Sequence, residues 1–271
     1  MADGSTICLV GAGNMGGAML LGWLNHGVDP KRVSIVDPSP PPHILKKLTK
    51  AGVTHHEAPP HDYLPDILFI AVKPQLMGAV LPGLAPMMSS ENVAISVAAG
   101  TTMATLSAHL GDVRLVRAMP NTPAQIGQGM TVCVANDEVT DTQKSEISDL
   151  LGSIGDVDWV DHEQLIDAVT AVSGSGPAYV FYLGEVLIEA GEKVGLSRAL
   201  AAKLAKQTIA GAGALMRGSD LEPSTLRENV TSPNGTTAAA LEVLMADDGL
   251  APVVEKAVSA AAERSRELAK D

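Results

Sequence analysis

The sequence has 271 residues, a formal net charge of −12 and a hydrophobic fraction of 46%. A chain of this length can bury one large core or two ordinary ones. The acidic charge argues against a nucleic-acid or anionic-membrane surface, and no apolar run reaches the roughly 20 residues of a membrane span. The N-terminal MADGSTICLV has no basic segment before its first strand, so we expect no signal peptide and a cytoplasmic location.

The two cysteines lie in different apolar segments. Cys8 and Cys133 are each flanked by strand-like residues. Small buried thiols are common in such surroundings, whereas disulfides belong mainly to secreted chains. The sequence therefore predicts two buried thiols and no disulfide.

The first predicted element is a strand, Thr6 to Val10, followed at once by a glycine-rich turn and a helix that ends near Gly27. Strand, GxGxxG and helix in this order are typical of a dinucleotide-binding unit. The first glycine permits a tight turn, the second lets a pyrophosphate approach the backbone, and the third packs helix against strand. The cofactor-binding residues predicted here are Gly11, Gly13, Asn14, Met15 and Gly16.

The second strand, Val33 to Val36, ends at an acidic residue, Asp37. A carboxylate at this place normally binds the ribose hydroxyls of NADH and repels the 2′-phosphate of NADPH. The proline-rich loop that follows contains Ser39, which could hold a phosphate. Asp37 and Ser39 are therefore both predicted to contact the cofactor, and the choice between NADH and NADPH stays open.

The loop after the third strand contains His55, His56, Glu57, His61 and Asp62. This cluster suggests a metal site, but its two prolines prevent the helical spacing that would bring the ligands together. We predict no metal here and expect the loop to border the adenosine of the cofactor.

Three further apolar strands, near Asp66–Val72, Val93–Val97 and Val113–Val116, are each followed by a polar or glycine-containing loop. Strands that alternate with helices predict a doubly wound parallel sheet of the Rossmann type, with ligand loops at the carboxyl ends of the strands. The cofactor-binding residues predicted in these loops are Val72, Lys73, Pro74, Ala98, Gly100, Asn121 and Thr122.

The strand pattern stops after about residue 160, and the remainder of the chain has helical periodicity. We therefore predict an N-terminal Rossmann domain, residues 1–161, and an all-helical domain, residues 162–271. The long Ala- and Gly-rich helices favour close helix packing and predict at least a dimer.

A turn between two helices, Thr231 to Thr237, has the sequence TSPNGTT. Pro233 and Gly235 keep it out of regular helix, so the next helix begins with free backbone N–H groups, which bind anions well. Ser232, Thr236 and Thr237 add hydroxyls. The turn suits a small carboxylate, although a capped helix–turn–helix without a ligand would have the same pattern.

Five segments, GAGNMG, AVKPQ, RAMPNTPA, SGSGPAY and TSPNGTTAAAL, resemble the pyrroline-5-carboxylate reductases in order and spacing. The resemblance covers nearly the whole chain, and its last two segments are the most specific. It implies reduction of 1-pyrroline-5-carboxylate to L-proline with NADPH or NADH, the last step of proline biosynthesis. It also implies a C-terminal helical dimerisation domain, interleaved dimers that commonly assemble further into decamers, and a substrate site at the subunit interface.

The same resemblance implies roles for the turn. Backbone N–H groups from Gly235 to Thr237 and the Ser232 hydroxyl would hold the substrate carboxylate, Thr236 would lie beside it, and Thr237 would hydrogen-bond the ring nitrogen as the catalytic residue. The family usually has Gly where this chain has Asn234, and Asn tolerates a left-handed backbone. The chain also has Glu57 and Ala58 where many relatives have Asn.

Two alternatives remain. A β-hydroxyacid dehydrogenase shares the N-terminal plan, but it uses a catalytic Lys on the helix after the Rossmann domain, and residues 177–191 contain none. A dinucleotide-binding redox sensor would keep GAGNMG but would have no need of TSPNGTT.

Overall fold

The computed structural model describes residues 4–269 and contains one eight-stranded sheet in the order β3-β2-β1-β4-β5-β6-β7-β8. All neighbouring strands are parallel except β6 and β7, which are antiparallel. The strands are β1 Ile7–Val10, β2 Val33–Val36, β3 Thr54–His56, β4 Ile67–Ile70, β5 Val93–Ser96, β6 Arg114–Met119, β7 Gly129–Ala135 and β8 Gly155–Trp159.

Up to β8, an α-helix follows every strand except β3 and β6, and from β8 to residue 269 the elements are helices alone. The first set is α1 Asn14–Asn25, α2 Pro42–Ala51, α3 Met77–Leu84, α4 Met103–Leu110 and α5 Asp141–Gly152. The second set is α6 Leu165–Val169, a π-helix Thr170–Gly174, α7 Gly176–Lys193, α8 Arg198–Arg217, α9 Pro223–Asn229, α10 Thr236–Leu244 and α11 Leu250–Leu268.

The order of the first six strands is that of a doubly wound dinucleotide-binding sheet. The chain winds outward from β1 to β3, then returns to place β4 on the other side of β1. A crevice opens where the winding reverses, beyond the carboxyl ends of β1 and β4. This arrangement confirms the predicted Rossmann-type sheet.

Both faces of the sheet are covered, which is why its central strands are continuous apolar runs. On one face Trp23 of α1 packs on Phe69 of β4 with ring centroids 5.0 Å apart, and its indole N–H donates to the carbonyl of Leu150 at 3.0 Å. The other face packs against the apolar sides of α3 and α4. These contacts fix the packing of α1, α3 and α4 on the sheet.

The cysteines are part of this core, as predicted. Cys8 and Cys133 are free thiols, and burial raises the pKa of Cys8 to about 11 and that of Cys133 to about 12. Because only the thiolate is an effective nucleophile, both side chains are inert in the folded chain.

The chain divides into two compact units. One contains the residues up to Gly174 and those from Ala262 onward, and the other contains Ser175–Ala261. The second unit is entirely helical, as predicted. In the described part of the chain, no helix is both long and apolar enough to cross a membrane.

The segment between β8 and Gly174 differs from its prediction. Sequence periodicity indicates one helix from Glu163 to Val172, but the structure has the short α6 followed by the π-helix Thr170–Gly174. This segment packs with the nucleotide-binding unit although it lies beyond the predicted boundary at 161. The predicted boundary after residue 161 lies close to the end of β8 at Trp159. The division into a cofactor-binding domain and a substrate-binding domain at that residue stays a prediction.

A buried ion pair connects this segment to the sheet. The Arg117 side chain on β6 is 4% exposed, and its Nη1 donates to Glu163 Oε1 at 3.0 Å. The same oxygen accepts the backbone N–H of Met103, the first residue of α4, at 2.8 Å. Glu163 therefore holds a strand, a helix start and the segment after β8 together.

We predict that Glu163→Ala will lower the free energy of unfolding by about 3 kcal/mol, because it leaves the buried Arg117 guanidinium without its counter-charge. Denaturant unfolding of both proteins measures the change. Glu91→Ala is the matched control, because Glu91 pairs with Arg114 but its side chain is 82% exposed. An exposed pair contributes about 0.5 kcal/mol. Equal losses in the two variants would contradict the role given to Glu163.

Candidate active site

The glycine-rich turn after β1 has the geometry that its sequence predicts. Gly11 has a φ of 89°, which favours glycine, and a Cβ on it would lie 2.8 Å from the Ala71 carbonyl oxygen. A Cβ on Gly16 would lie 2.0 Å from the Gly11 carbonyl oxygen. Only hydrogen therefore fits at both positions, and α1 can begin directly against β1.

Gly13 lies between these two residues and faces open space. A Cβ at Gly13 meets no atom within 4 Å. Neither its backbone conformation nor its packing in the described chain requires glycine, because its φ is −66°. A pyrophosphate that approaches the start of α1 would account for the absence of a side chain.

A cleft of about 550 Å³ opens beside this turn, at the carboxyl ends of β1, β2 and β4. It brings together six of the predicted cofactor residues, namely Gly11, Gly13, Asp37, Ser39, Val72 and Lys73. Pro74, another predicted residue, begins a 3₁₀ turn directly after Lys73. The backbone N–H groups at the start of α1 and the Lys73 ammonium suit a diphosphate.

Asp37 is fixed in the cleft by the backbone on both sides of it. One carboxylate oxygen accepts the N–H of Ala12 at 2.7 Å, and the other accepts the N–H of Ser39 at 2.8 Å. His55 hydrogen-bonds the Asp37 carbonyl through Nε2 at 2.8 Å. A carboxylate has about four lone-pair directions, so Asp37 can still accept bonds from ribose hydroxyls.

The other predicted cofactor residues lie beside the cleft. Asn14 and Gly13 line a smaller hollow of about 180 Å³ together with Gln125. Met15 and Gly16 belong to the first turn of α1. Ala98 and Gly100 follow β5, and Asn121 and Thr122 follow β6, at the same end of the sheet.

One wall of the cleft was missed by sequence reasoning. Helix α3 and the residue before it supply small and apolar side chains, and the loop after β3 supplies the opposite rim. That this loop borders the adenosine stays a prediction. The spacing of these residues after AVKPQ indicates a packed helix and does not distinguish a cleft wall. The missed residues are Leu76, Ala79, Val80 and Gly83, and the rim contains Glu57, Ala58 and Pro59.

The TSPNGTT turn lies in the helical unit, between α9 and α10. Asn234 has a φ of 60°, so it adopts the left-handed conformation expected where relatives have Gly. The N-cap of α10 is Gly235, which has no side chain to cap the helix. The first-turn N–H groups of α10 are consequently left for a ligand or water.

The turn contains four hydroxyls, and that of Thr231 donates to the Arg227 carbonyl at 2.6 Å. Ser232, Thr236 and Thr237 make no side-chain hydrogen bond with any residue from 4 to 269, and Thr237 is half-buried. The Gly235 N–H differs from its prediction, because it donates to the Ser232 carbonyl at 3.0 Å. Thr236 and Thr237 therefore offer the free backbone donors of the turn.

The histidine-containing segment differs from its prediction as a loop, because His55 and His56 belong to β3. Among the described residues, no group of three or more His, Cys, Asp or Glu side chains could hold a metal ion. His55 instead supports the Asp37 backbone, as described above.

The sheet order, the glycine turn and the cleft define an NAD(P)H-dependent oxidoreductase with a separate helical unit. A family model described as NADP oxidoreductase, coenzyme F420-dependent, matches residues 6–100. A second, described as pyrroline-5-carboxylate reductase dimerisation, matches residues 163–268. The chain belongs to the pyrroline-5-carboxylate reductase family, which separates it from the β-hydroxyacid dehydrogenase and sensor alternatives.

Several relatives match along nearly their full length. The pyrroline-5-carboxylate reductase of Pseudomonas aeruginosa is 42% identical over 97% of this chain and 96% of its own. The pyrroline-5-carboxylate reductase of Glycine max is 36% identical over 98% of this chain and 97% of its own. The solved structure from Coxiella burnetii has a TM-score of 0.92 at 36% identity, covering 98% of this chain and 99% of that one. The structure from Plasmodium falciparum, with NADP bound, has a TM-score of 0.82 at 32% identity. It covers 98% of this chain and 99% of that one.

We predict that the Gly13→Ala variant, without ligand, will have an unchanged melting temperature, and that its affinity for NADH will be at least tenfold lower. The added methyl group meets no protein atom but occupies space beside the start of α1. Thermal shift at a series of NADH concentrations measures both quantities. Gly152→Ala is the control, because its Cβ also meets no atom and it lies at the end of α5. Unchanged NADH affinity in Gly13→Ala would refute this placement of the pyrophosphate.

Proposed function

We propose that this chain reduces the C=N bond of 1-pyrroline-5-carboxylate with NAD(P)H and releases L-proline, the last step of proline biosynthesis. The single observation that supports this most directly is the TSPNGTT turn. It combines free helix-start N–H groups with three unpaired hydroxyls among residues 4–269, in a chain that also has a dinucleotide cleft.

The turn matches the two polar groups of the substrate. Free N–H groups of Thr236 and Thr237 and the Ser232 hydroxyl hold the carboxylate, because a helix start favours negative charge. The Thr237 hydroxyl, at the second position of α10, hydrogen-bonds the ring nitrogen. The Gly235 N–H is not available to the substrate, because it donates to the Ser232 carbonyl. Gly235 instead leaves room for the substrate and forms the turn that exposes the other groups.

The reaction needs orientation more than a protein acid. A C=N carbon accepts hydride most readily when its nitrogen is protonated, and a cyclic imine can acquire that proton from water. The reduced cofactor supplies the hydride when it is bound. The protein contribution is to fix the carboxylate and to direct the nitrogen through Thr237, which limits the approach of the imine carbon to one geometry. On the cofactor side, the loops after β4, β5 and β6 hold the nicotinamide end, with Lys73, Gly100 and Thr122 among their residues.

The helical unit supports a homo-oligomer. No residue of α7 or α10 is buried, and Phe181 and Val243 are 64% and 72% exposed. Continuous apolar helices of this kind are normally covered by another chain. A second copy, bound through these helices as an interleaved dimer, completes the hydrophobic core of the unit, and dimers assemble into a decamer in the cytoplasm.

The ribose end of the cleft favours NADH over NADPH. Asp37 and Glu57 line this part of the cleft, and Lys73 is the single cationic side chain among the lining residues described. The Ser39 N–H, which could hold a 2′-phosphate, already donates to Asp37. A phosphate at this place would face two carboxylates and gain no free backbone donor from Ser39.

We predict that Thr237→Ala will lower kcat by about 100-fold, because the substrate nitrogen loses its orienting hydroxyl. The affinity for NADH should stay within twofold of the unchanged protein. Steady-state oxidation of NADH and NADPH with pyrroline-5-carboxylate, with proline measured as product, tests the function and the variant together. Thr237→Ser keeps the hydroxyl and should retain most of the activity.

Two results would contradict this proposal in different ways. If the unchanged protein binds NADH but oxidises neither cofactor with pyrroline-5-carboxylate, the substrate assignment is wrong. If that activity is present but Thr237→Ala turns over normally, the substrate is right and the role of the hydroxyl is wrong.

We predict that Asp37→Asn will raise the ratio of kcat/KM for NADPH to that for NADH by at least tenfold. The change removes the negative charge that repels a 2′-phosphate but keeps one oxygen to accept a backbone N–H. Asp37→Ser should shift the ratio in the same direction and weaken both cofactors, because it cannot hold Ala12 and Ser39 together.

The matched control is Glu138→Gln. It makes the same change in net charge, but Glu138 follows β7, outside the cofactor cleft. An equal ratio in Asp37→Asn and the unchanged protein would mean that Asp37 does not face the ribose.

A further inference from the structure

The Asn121 side chain is held on both sides by hydrogen bonds within the nucleotide-binding unit. Its Oδ1 accepts the N–H of Met130, at the start of β7, at 2.9 Å. Its Nδ2 donates to the carbonyl and the hydroxyl of Ser173, in the π-helix, at 3.1 and 3.3 Å. Both polar groups of the side-chain amide therefore bind protein partners. The predicted contact of Asn121 with the cofactor stays a prediction.

These partners lie 9 and 52 residues from Asn121 and outside its 3₁₀ turn, so the side chain does not serve the local turn. Asn121 is the N-cap of the 3₁₀ turn Thr122–Ile126, the position at which Asn commonly accepts an N–H from its own turn. No such bond is present, and the turn is closed by the backbone, with the Ala124 N–H on the Asn121 carbonyl at 3.1 Å. The amide connects the turn to two other elements instead.

The turn that Asn121 holds forms part of the wall beside the cofactor site. Residues Thr122–Ile126 pack against α1, and Gln125 lines a hollow together with Gly13 and Asn14. Ala124 is buried, whereas Thr122 is exposed. A displacement of this turn would therefore change the position of Thr122 relative to the first turn of α1.

A side-chain carboxamide can both accept the Met130 N–H and donate to the Ser173 carbonyl. The Met130 N–H needs an acceptor and the Ser173 carbonyl needs a donor, and Asn offers both groups from one short side chain. Asp would place a carboxylate oxygen against the Ser173 carbonyl oxygen, and Gln would place the amide about one bond further away. The geometry of the two partners thus specifies Asn.

We infer that Asn121 is a positioning residue for hydride transfer: its amide connects the turn Thr122–Ile126 to β7 and to the π-helix and so fixes the loop that borders the nicotinamide. The inference rests on the proposed function, because it assigns this loop to the reacting end of the cofactor. A small displacement of the loop lowers the fraction of bound cofactor in reacting geometry without removing a contact to the cofactor.

The test is Asn121→Asp, which keeps the acceptor for Met130 and removes the donor to Ser173. The readouts are kcat, KM for NADH, and the primary deuterium isotope effect on kcat with NADH deuterated at the transferred position. We expect kcat to fall about 10- to 100-fold, KM for NADH to change less than threefold, and the isotope effect to rise as hydride transfer becomes rate-limiting. A loss of folded protein alone would lower kcat without raising the isotope effect.

The chain offers a matched control at the other end of the same strand pair. Asn136 accepts the Leu115 N–H at 3.0 Å and donates to the Val113 carbonyl at 2.9 Å, which is the same two-sided arrangement. Asn136→Asp should lower the melting temperature but leave kcat per folded protein and the isotope effect unchanged. Ser173→Ala removes only the weaker 3.3 Å bond and should retain at least half of kcat.

The outcomes are distinct. An isotope effect that rises in Asn121→Asp and not in Asn136→Asp supports the inference, and identical behaviour of the two variants overturns it. If Asn121→Asp does not fold, Asn121→Ser is measured in the same way, and a normal isotope effect in that variant overturns the inference. Failure of the proposed function itself would be visible separately, as absence of pyrroline-5-carboxylate reduction by the unchanged protein.

Discussion

The cofactor site depends on one close approach between backbone segments, that of α1 to the turn after β1. With a Cβ on Gly16 only 2.0 Å from the Gly11 oxygen, any side chain there would push α1 away from the sheet. The first-turn N–H groups of α1 would then point elsewhere, and Ala12 could not donate to Asp37. The helix-start N–H groups, the fixed Asp37 carboxylate and the cleft between them therefore depend on Gly11 and Gly16, where only a hydrogen atom fits in place of a side chain.

A second set of contacts decides where the nucleotide-binding unit ends. Residues 163–173 are connected to it at three places: Glu163 with Arg117, Asp167 with the Ser265 hydroxyl at 2.6 Å, and Ser173 with Asn121. These polar contacts explain why the compact unit continues to Gly174 although the sheet ends at β8. Two of the three begin from side chains of β6 or the loop after it, within RAMPNTPA. The motif therefore has a structural role in addition to the cofactor contacts proposed for it.

Sequence reasoning succeeded wherever a local pattern carries the structural information. Continuous apolar runs located the strands of the sheet, and GxGxxG in its strand–helix context located the cleft. Asn234 was expected to adopt a left-handed backbone, and it does. In each case the deciding property belongs to a few neighbouring residues and needs no knowledge of distant contacts.

The failures concern contacts between residues far apart in sequence. The hydrogen bond from the Asn121 amide to Ser173, 52 residues away, was not predicted, whereas the predicted contact of Asn121 with the cofactor stays a prediction. The π-helix was predicted as ordinary helix because side-chain periodicity does not report a change in backbone hydrogen bonding. The apolar wall from α3 was missed because Ala79 and Gly83 have the same pattern as any packed helix. Strands can be predicted from local sequence patterns, whereas the hydrogen-bond partners of a side chain are decided by the tertiary structure.

The cofactor cleft and the proposed carboxylate site at the TSPNGTT turn differ in how complete they are. The cofactor cleft has its walls, its cation and its fixed carboxylate within one unit, and Asp37 is held by backbone from both sides. The TSPNGTT turn, in contrast, presents free donors between helices whose apolar side chains are largely exposed. Hydrogen bonds and charges at such a turn are weak while water competes for them, and they strengthen when another surface excludes that water. Covering the helical unit with a second copy would therefore stabilise the dimer and, by the same burial, make the turn an effective carboxylate site.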